Sequence, residues 1–460
     1  KDRIMTSISE LLRELVLIES RLGCYEILYR GMPLYRIFRF ELRKKYLKKR
    51  VPNYTNDSRK SSFSISSVFI NVLYSLYDVC TVCFTKKKVD TIIFPHFRLF
   101  NFNGVLIEKF TDPLLEQSSL LGSVAVFQQS YRVNYRRKRL RIDMLYQVEC
   151  LTMFTFMVSL VLLVFFYFGK TRKDIDILIK KIRRLQSVAG KDRFKMYFNF
   201  VNFYVLSFYY RQIFKKLKCK RIFVVNRDSF KSQIFAAHQL GLKVYELQHG
   251  VTMGPTVLYS GFFNPVIDPD YFLTFGAMWK GELFAMPVDR TINIGFAYKN
   301  YIQSLNVKIS KGIESVLVIS SPAITEEIVT IVEKLAILYP MNKFYFRTHP
   351  QENLSVSQKE RLTLCLNVFY SDKSIESNIE ILSYEHVIGT NSSVLFEALS
   401  LGKNVGRLAF GGLFINRYIG DDDFYYVQSL EDFDNFLRNR KRGIGKAYSD
   451  FEEDKLRMIL

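Results

Sequence analysis

With 460 residues, the chain is longer than one ordinary hydrophobic core requires, so two or three domains are expected. A hydrophobic fraction of 48% excludes a disordered chain. The net charge of +22 indicates an anionic partner, which leaves nucleic acid, anionic lipid or an anionic substrate.

Most basic runs lie in the first half of the chain, at residues 86–88, 136–139, 180–184 and 215–216. Neither a zinc-finger spacing nor an RNA-binding aromatic signature accompanies these runs, so we predict no nucleic-acid partner. An anionic membrane surface remains as the partner, with a plain solvated basic surface as the alternative.

Helical patterns open the chain, over residues 10–22 and 25–47, and a polar loop is expected over 51–64. Cys80 and Cys83 follow in an apolar stretch that predicts core positions rather than a redox or zinc site. The scattered cysteines suit a reducing compartment.

Residues 151–169 carry no charge, and Lys170, Arg172 and Lys173 come directly after them. The length meets the lower range for a membrane-spanning helix, about 17–25 residues, and the basic flank is typical of the cytoplasmic side. A full span would separate the first 150 residues from the rest. We therefore predict a helix or hairpin that dips into one leaflet, with a core helix as the alternative, and a peripheral location at the inner face of the cell membrane.

Short apolar strands then alternate with helical patterns in two series. The first series has strands at 91–94, 124–127, 222–225 and 244–247, and a helix over 232–242. The second has strands at 315–319, 343–346, 366–370 and 386–388, and helices over 326–338 and 394–401. This alternation predicts two doubly wound α/β domains with parallel sheets, joined near residues 297–312.

Polar groups follow the strands of the second series, where ligands bind in such sheets. They are Ser320, Ser321, Arg347, His349, Gly389, Thr390, Ser392 and Ser393. The serine pair after a glycine turn, at a helix start, suits a phosphate, although a simple N-cap is the alternative. Glu397, one turn into that helix, could accept ribose hydroxyls or be a solvated side chain.

Two histidines stand out as candidates for catalysis. His349 precedes Pro350, which fixes the turn, and it could stabilise a departing phosphate; Arg347 could assist or be an exposed charge. His249 lies in a Glu246–Leu247–Gln248–His249–Gly250 run after a first-series strand. It is our candidate general base, with a turn histidine as the alternative, and Gly250 leaves room for substrate. Gln248 and His96, which follows the strand 91–94, are assigned to the acceptor side.

The combination of His349–Pro350 with Ser392–Ser393 resembles bacterial GT-B sialyltransferases and related capsule polymerases. The same pair, together with His249–Gly250, resembles teichoic-acid glycerophosphotransferases. The stretch Tyr29-Arg30-Gly31-Met32-Pro33-Leu34-Tyr35, followed by Arg39, resembles the start of lipopolysaccharide and capsule glycosyltransferases.

The resemblance implies a GT-B fold in which His349, Ser392 and Ser393 hold the donor phosphate. Residues 1–300 would then bind the acceptor, an oligosaccharide or lipid-linked chain, and residues 301–460 a CMP-, UDP- or similarly activated sugar. The sialyltransferases use an acidic pair as the base, and residues 247–250 lack one, which leaves His249 or Glu246 for that role. Because no DxD-type motif ends a strand, we expect no metal or other cofactor.

Three other functions fit the same residues. A polyol-phosphate transferase would use a CDP-linked donor, and a nucleotide-sugar 2-epimerase would share the tandem domains without needing basic runs. A non-catalytic membrane scaffold of a polysaccharide complex would need neither donor nor base.

Overall fold

The computed structural model describes residues 8–50, 65–97, 99–102, 104–128, 144–168, 171–184, 190–250, 252, 256–279, 283–305, 310–322, 324–349, 352–372, 375–390, 392–410, 423–438 and 446–460. The predicted loop at 51–64 lies outside these residues, as do Pro350 and the basic run 136–139.

The first elements are helices interrupted by a small hairpin. They are α1 (Ile8–Arg21), β1 (Leu28–Tyr29), β2 (Met32–Pro33), α2 (Tyr35–Arg50) and α3 (Ile65–Phe84). The continuous helix predicted for residues 25–47 is therefore wrong over its first part. Arg30 (φ 52°) and Gly31 (φ 77°) both adopt the left-handed conformation, which closes a two-residue hairpin and interrupts a helix.

The first sheet contains seven parallel strands, and its helices cover both faces. The strands are β3 (Thr91–Phe94), β6 (Val124–Gln128), β7 (Met144–Gln147), β8 (Arg221–Val225), β9 (Lys243–Leu247), β10 (Tyr271–Thr274) and β11 (Thr291–Asn293). Between them lie β4 (Phe100–Phe102), β5 (Val105–Ile107), α4 (Asp112–Gln117), α5 (Glu149–Phe168), α6 (Thr171–Ile182), α7 (Gly190–Leu217) and α8 (Lys231–His238). Every residue of β3 and β6 is buried, as expected for strands covered on both faces.

The second sheet contains six parallel strands. They are β12 (Ser315–Ile319), β13 (Lys343–Arg347), β14 (Val368–Tyr370), β15 (His386–Gly389), β16 (Asn404–Leu408) and β17 (Tyr425–Val427). The helices around them are α9 (Ala297–Ser304), α10 (Thr325–Leu338), α11 (Val356–Leu364), α12 (Ser377–Leu382), α13 (Ser393–Ser400) and α14 (Leu430–Arg438).

Both sheets are wound in the same way. The first runs β11-β10-β9-β8-β3-β6-β7 and the second β14-β13-β12-β15-β16-β17. In each, the first parallel strand is central, the next two lie on one side and the fourth lies on the other. The winding therefore reverses between β3 and β8, and again between β12 and β15. The predicted fold class, two Rossmann-like doubly wound α/β domains, is confirmed by this topology.

The last segment, α15 (Glu453–Arg457) with its flanking residues, returns to the first sheet. The Ser449 amide donates to the Phe275 carbonyl at 2.8 Å, and the Tyr245 hydroxyl donates to the Ile459 carbonyl at 2.6 Å. Gly295 lies so close to the backbone of this segment that a Cβ there would be 1.9 Å from the Asp450 carbonyl oxygen. The chain thus passes between the sheets twice, and the functional division at residue 300 stays a prediction.

Helix α3 corrects the prediction made for the cysteine pair. Cys80 and Cys83 are exposed, not in the core. The apolar stretch that carries them belongs to a helix at the surface of the first domain, where Leu76, Tyr77 and Phe84 are also exposed. An apolar run alone did not distinguish a core helix from a surface one.

Candidate active site

The end of β12 and the end of β13 are tied together by one buried carboxylate. Glu352 Oε1 accepts hydrogen bonds from the hydroxyls of Ser320 and Thr325, each at 2.6 Å. Its Oε2 accepts the backbone amide of His349 at 2.7 Å. Because Glu352 is buried, these bonds fix the turn that presents His349. Sequence analysis missed Glu352, which lies in a loop and has no motif of its own.

Gly389 lies beside Ile319 in the register between β15 and β12. A Cβ at Gly389 would be 2.9 Å from the Ile319 carbonyl oxygen, so no other residue fits without a backbone shift. The next residue, Thr390, and the corresponding Thr348 after β13 both bury their hydroxyls. Among the described residues neither hydroxyl has a hydrogen-bond partner. Two unsatisfied hydroxyls at one sheet edge are unusual and mark a place for a polar ligand or water.

The position of the serine pair is compatible with both predicted roles, phosphate binding and helix capping. Ser392 is the N-cap of α13, and its hydroxyl accepts the Val394 amide at 3.3 Å. Ser393 is the first residue of that helix and is half-buried. The cap explains Ser392 structurally, while the helix start still provides amide donors for an anion.

Arg347 has other partners than a phosphate. It forms an ion pair with Glu380, donates to the Ile375 carbonyl at 2.7 Å and donates to the Ser371 hydroxyl at 3.2 Å. These contacts give it a role in holding the loop after β14. Ser321, half-buried, lies in the turn before α10, where its carbonyl accepts the Thr325 hydroxyl at 3.3 Å.

At the first sheet, the structure brings His96 and His249 together. Their rings stack with centroids 4.4 Å apart and planes at 27°. Phe110 meets both rings edge-on, 5.5 Å from His249 and 5.9 Å from His96. The Tyr259 hydroxyl contacts the backbone of His249 on both sides, 3.3 Å from its amide and 3.2 Å from its carbonyl. His249 is partly exposed and His96 is buried.

The neighbours of His249 in the chain shape its turn. Gln248 is buried, accepts the Phe275 amide and donates to the Gly250 carbonyl, both at 3.0 Å. Gln248 was predicted to face the acceptor, but its side chain lies buried beneath the turn and bonds to the backbone. Gly250 has φ 78°, which favours glycine, and a Cβ there would contact nothing within 4 Å.

Glu246, the second candidate for the base, lies behind the site. It is fully buried, and both of its oxygens accept from Arg227, one from the backbone amide and one from the guanidinium. Arg227 also pairs with Asp268, which pairs with Arg36 of α2. Burial raises the pKa of Glu246 to about 7 although Arg227 opposes the shift. The carboxylate has no surface through which an acceptor could reach it.

Residues 109 and 110 connect the two sheet edges. Phe110 contacts the histidine pair, and Lys109 Nζ lies 3.0 Å from Glu397 Oε2 on α13. Burial alone would lower the pKa of Lys109, but the negative charges of Glu397 and Glu376 hold that pKa above its ordinary value. Glu397 also accepts a hydrogen bond from the hydroxyl of Tyr448. Burial and this hydrogen bond both raise the pKa of Tyr448. The predicted ribose carboxylate is therefore engaged across the cleft, four residues from Ser393.

Within the described residues, no group of three or more His, Cys, Asp or Glu side chains is arranged to hold a metal ion. Lys109, Phe110, Glu352 and Tyr259 are the site residues that sequence analysis missed. None carries a motif, and each acts through a partner that only the fold brings near.

No family model and no curated protein matches the chain. Solved structures do. The UDP-GlcNAc 2-epimerase of Methanocaldococcus jannaschii is 10% identical, with TM-score 0.44, over 80% of this chain and 98% of that one. A UDP-GlcNAc 2-epimerase of Neisseria meningitidis, bound to UDP-GlcNAc, is 12% identical, with TM-score 0.42, over 78% and 97%. MurG of Acinetobacter baumannii is 10% identical, with TM-score 0.40, over 80% and 98%.

The similar structures thus include epimerases as well as glycosyltransferases. At TM-scores below 0.5 and identities near one tenth, this likeness does not decide between the two activities. The choice depends on the residues of this chain.

Proposed function

We propose that this chain is a glycosyltransferase that moves a sugar from a nucleotide-activated donor to a growing surface polysaccharide, of a capsule or a lipopolysaccharide O-antigen. The polar groups at the two reversal points carry the proposal. Ser320, Gly389 and Ser393 belong to the reversal between β12 and β15. The pair His96–His249 belongs to the reversal between β3 and β8 and its neighbour β9.

The donor would bind to the second domain. Its diphosphate or phosphate would lie at the start of α13, where the amides after Ser392 and the hydroxyl of Ser393 offer donors. The buried hydroxyls of Thr348 and Thr390 would gain partners there. His349, held in place by Glu352, would donate to the leaving phosphate as its charge develops. We expect these groups to act without a metal.

The acceptor would enter from the first domain. The partly exposed His249 would take the proton from the acceptor hydroxyl, and the oxygen would attack the anomeric carbon while the bond to the phosphate breaks. The aromatic face of Phe110 excludes water beside it. His96, stacked behind His249, restricts the ring to one orientation.

Glu397 has a place in this sequence of events. Its partners in the protein are Lys109 and Tyr448. A ribose would compete for the same carboxylate and release the ammonium of Lys109 into the cleft, where it would face the donor's phosphate. Donor binding would thus free the cation of Lys109 on the first-domain side to face the leaving phosphate.

The deciding experiment is a panel of CMP-, CDP-, UDP- and GDP-linked donors, incubated with purified full-length chain and with or without polysaccharide acceptor. We expect one sugar donor to release its nucleotide much faster with acceptor present. A CDP-polyol donor that leaves its phosphate on the product would instead establish polyol-phosphate transfer. Interconversion of UDP-linked sugars without acceptor would establish an epimerase, and no turnover of any donor would favour a scaffold.

A further inference from the structure

Helix α5 buries polar side chains against the protein and exposes apolar ones, the reverse of a helix in contact with water. Its polar residues Thr155 and Ser159 are fully buried against the protein. Ser159 donates to the Thr155 carbonyl at 2.6 Å and lies 3.2 Å from Asn202 of α7. The opposite face is entirely apolar and exposed. An amphipathic helix of a water-soluble domain has the reverse arrangement.

The exposed residues form one continuous stripe at helical spacing. They are Met153, Phe154, Phe156, Met157, Leu160, Val161, Val164 and Phe165. Most of them have more than half of their surface exposed, and Met157 (62%), Val161 (66%) and Phe165 (72%) are the most exposed. Scattered apolar residues are normal on a protein surface, but a stripe of this length marks an interaction site. We call it the α5 stripe.

The α5 stripe does not belong to a helix that stands clear of the protein. The face that carries Ser159 packs on α7, and two residues of the stripe also contact that helix, with the Phe154 ring 5.5 Å from that of Tyr209 and the Phe156 ring 4.8 Å from that of Phe198. At its start it is bonded to α3, since the Ser75 hydroxyl accepts the Cys150 amide at 2.7 Å. In the described part of the chain α5 is the one helix long and apolar enough to cross a membrane. Its side-on packing instead suits a helix that lies in the plane of a leaflet.

Exposed basic residues lie on or next to both helices that α5 packs against, α3 and α7. Phe84, 83% exposed at the end of α3, is followed by the exposed Lys86, Lys87 and Lys88. At the start of α7 the exposed Phe194 lies between the exposed Lys191 and Lys195. No acidic residue occurs between Met153 and Phe168 on α5. Aromatic side chains next to lysines match the boundary between acyl chains and anionic headgroups.

We propose that the α5 stripe inserts into one leaflet of a membrane with anionic lipids, with α5 parallel to the surface and the lysines of α3 and α7 on the headgroups. This goes beyond glycosyl transfer and does not rest on it. The stripe would hold the first domain, and with it His249, at the membrane. A lipid-linked acceptor would then meet the cleft by diffusion in two dimensions.

The test uses the full chain and vesicles of phosphatidylcholine with or without phosphatidylglycerol, in the absence of any substrate. The variant Met157→Glu/Val161→Glu places two charges on the stripe. Its matched control, Met341→Glu/Leu366→Glu, places two on exposed apolar positions of the second domain. We expect vesicle partitioning of the first variant to fall by about tenfold or more, and that of the control to be unchanged. Equal binding of both variants would overturn the proposal.

Insertion can be read directly, because the chain has one tryptophan and Trp279 is fully buried. In Phe165→Trp, lipids brominated on their acyl chains should quench the new fluorophore strongly, whereas in Met341→Trp they should not. A second copy of the chain could cover the stripe instead of lipid, and sedimentation without lipid tests this by measuring the oligomeric state. If the unmodified chain is a dimer that Met157→Glu/Val161→Glu converts to monomers, and quenching is absent, a second copy covers the stripe and the proposal fails. A protein that binds vesicles but turns over no donor would overturn only the proposed activity.

Discussion

The two reversal points of the molecule use opposite chemistry beneath the same topology. Under the first, charged side chains are buried in pairs: Arg43 with Glu19, Arg36 with Asp268 and Arg227 with Glu246. Under the second, the carboxylate of Glu352 organises hydroxyls and backbone amides, and one charged pair, Arg347 with Glu380, holds the loop after β14.

This difference follows from what each edge has to hold. In the first domain, arginines from α2 donate to the carbonyls of the loop that carries Tyr259. Arg39 donates to the Leu258 oxygen at 2.7 Å, and Arg43 to the Ser260 oxygen at 2.8 Å. The buried arginines and carboxylates of the first domain are therefore engaged in holding the fold. In the second domain, the hydroxyls of Thr348 and Thr390 have no hydrogen-bond partner among the described residues, which leaves them for an anionic ligand.

The largest expected effect separates the two histidines. His249→Ala should lower turnover by about 10²–10⁴-fold and leave nucleotide affinity almost intact, because a lost general base acts on the chemical step. His349→Ala should weaken both turnover and nucleotide affinity. Steady-state kinetics and nucleotide titration measure these effects, with His238→Ala, on α8, as the control. Near-normal turnover of His249→Ala on the true acceptor would move the base elsewhere.

Next comes the buried charge of the first edge. Arg43→Met leaves Glu19 buried without its guanidinium, so the free energy of unfolding should fall by about 3–5 kcal/mol. Denaturant unfolding measures it, and Lys48→Met on the exposed side of the same helix should change it by less than about 0.5 kcal/mol. The double variant Glu19→Gln/Arg43→Met should recover part of the loss. Equal stability of Arg43→Met and Lys48→Met would mean that the first edge does not depend on its charges.

A smaller effect is expected at the second edge. Glu352→Gln removes one acceptor from the hydrogen bonds that hold Ser320 and the His349 amide, and should lower stability by about 1–3 kcal/mol. The freed His349 turn should also weaken nucleotide binding. Glu360→Gln, on the exposed surface of α11, is the matched control. If nucleotide affinity stays unchanged while stability falls, Glu352 supports only the fold.

The smallest effect distinguishes the two serines. Ser392→Ala removes the N-cap and should lower stability by about 1 kcal/mol, whereas Ser393→Ala, inside the helix, should change it by less than about 0.5 kcal/mol. Both should weaken nucleotide binding if the start of α13 holds the phosphate. Should only Ser392→Ala bind nucleotide less tightly, the serine pair would be a cap and no more.

The sequence predicted the second sheet better than the first. Residues 315–319 form β12 as predicted, and 386–388 form most of β15, because short apolar runs between polar turns have few alternatives. The strands β7, β10 and β11 of the first sheet, and β16 and β17 of the second, were not predicted; β7 follows a basic stretch, and β11 and β17 are only three residues long. The hairpin at Arg30–Gly31 escaped because its neighbours keep a helical spacing.

The histidines and the serine pair were found because each directly follows a strand. What sequence could not supply were the partners from distant parts of the chain. Lys109 is 288 positions from Glu397, and no local pattern links them. In the same way, the apolar content of α5 was evident, but which of its faces lies open depends on where α7 packs.

The return of residues 446–460 to the first sheet has a mechanical meaning. A single linker would let the two halves twist about it freely. Here two strands of backbone cross side by side, one after Ile294 and one before Ser449, with the amide of Phe296 bonded to the Ser449 carbonyl at 2.9 Å. Such a pair of crossings works as a door hinge does: it permits swinging about one axis and resists torsion. Any opening that admits the donor should therefore follow a single arc, with the Lys109–Glu397 pair at the swinging edge.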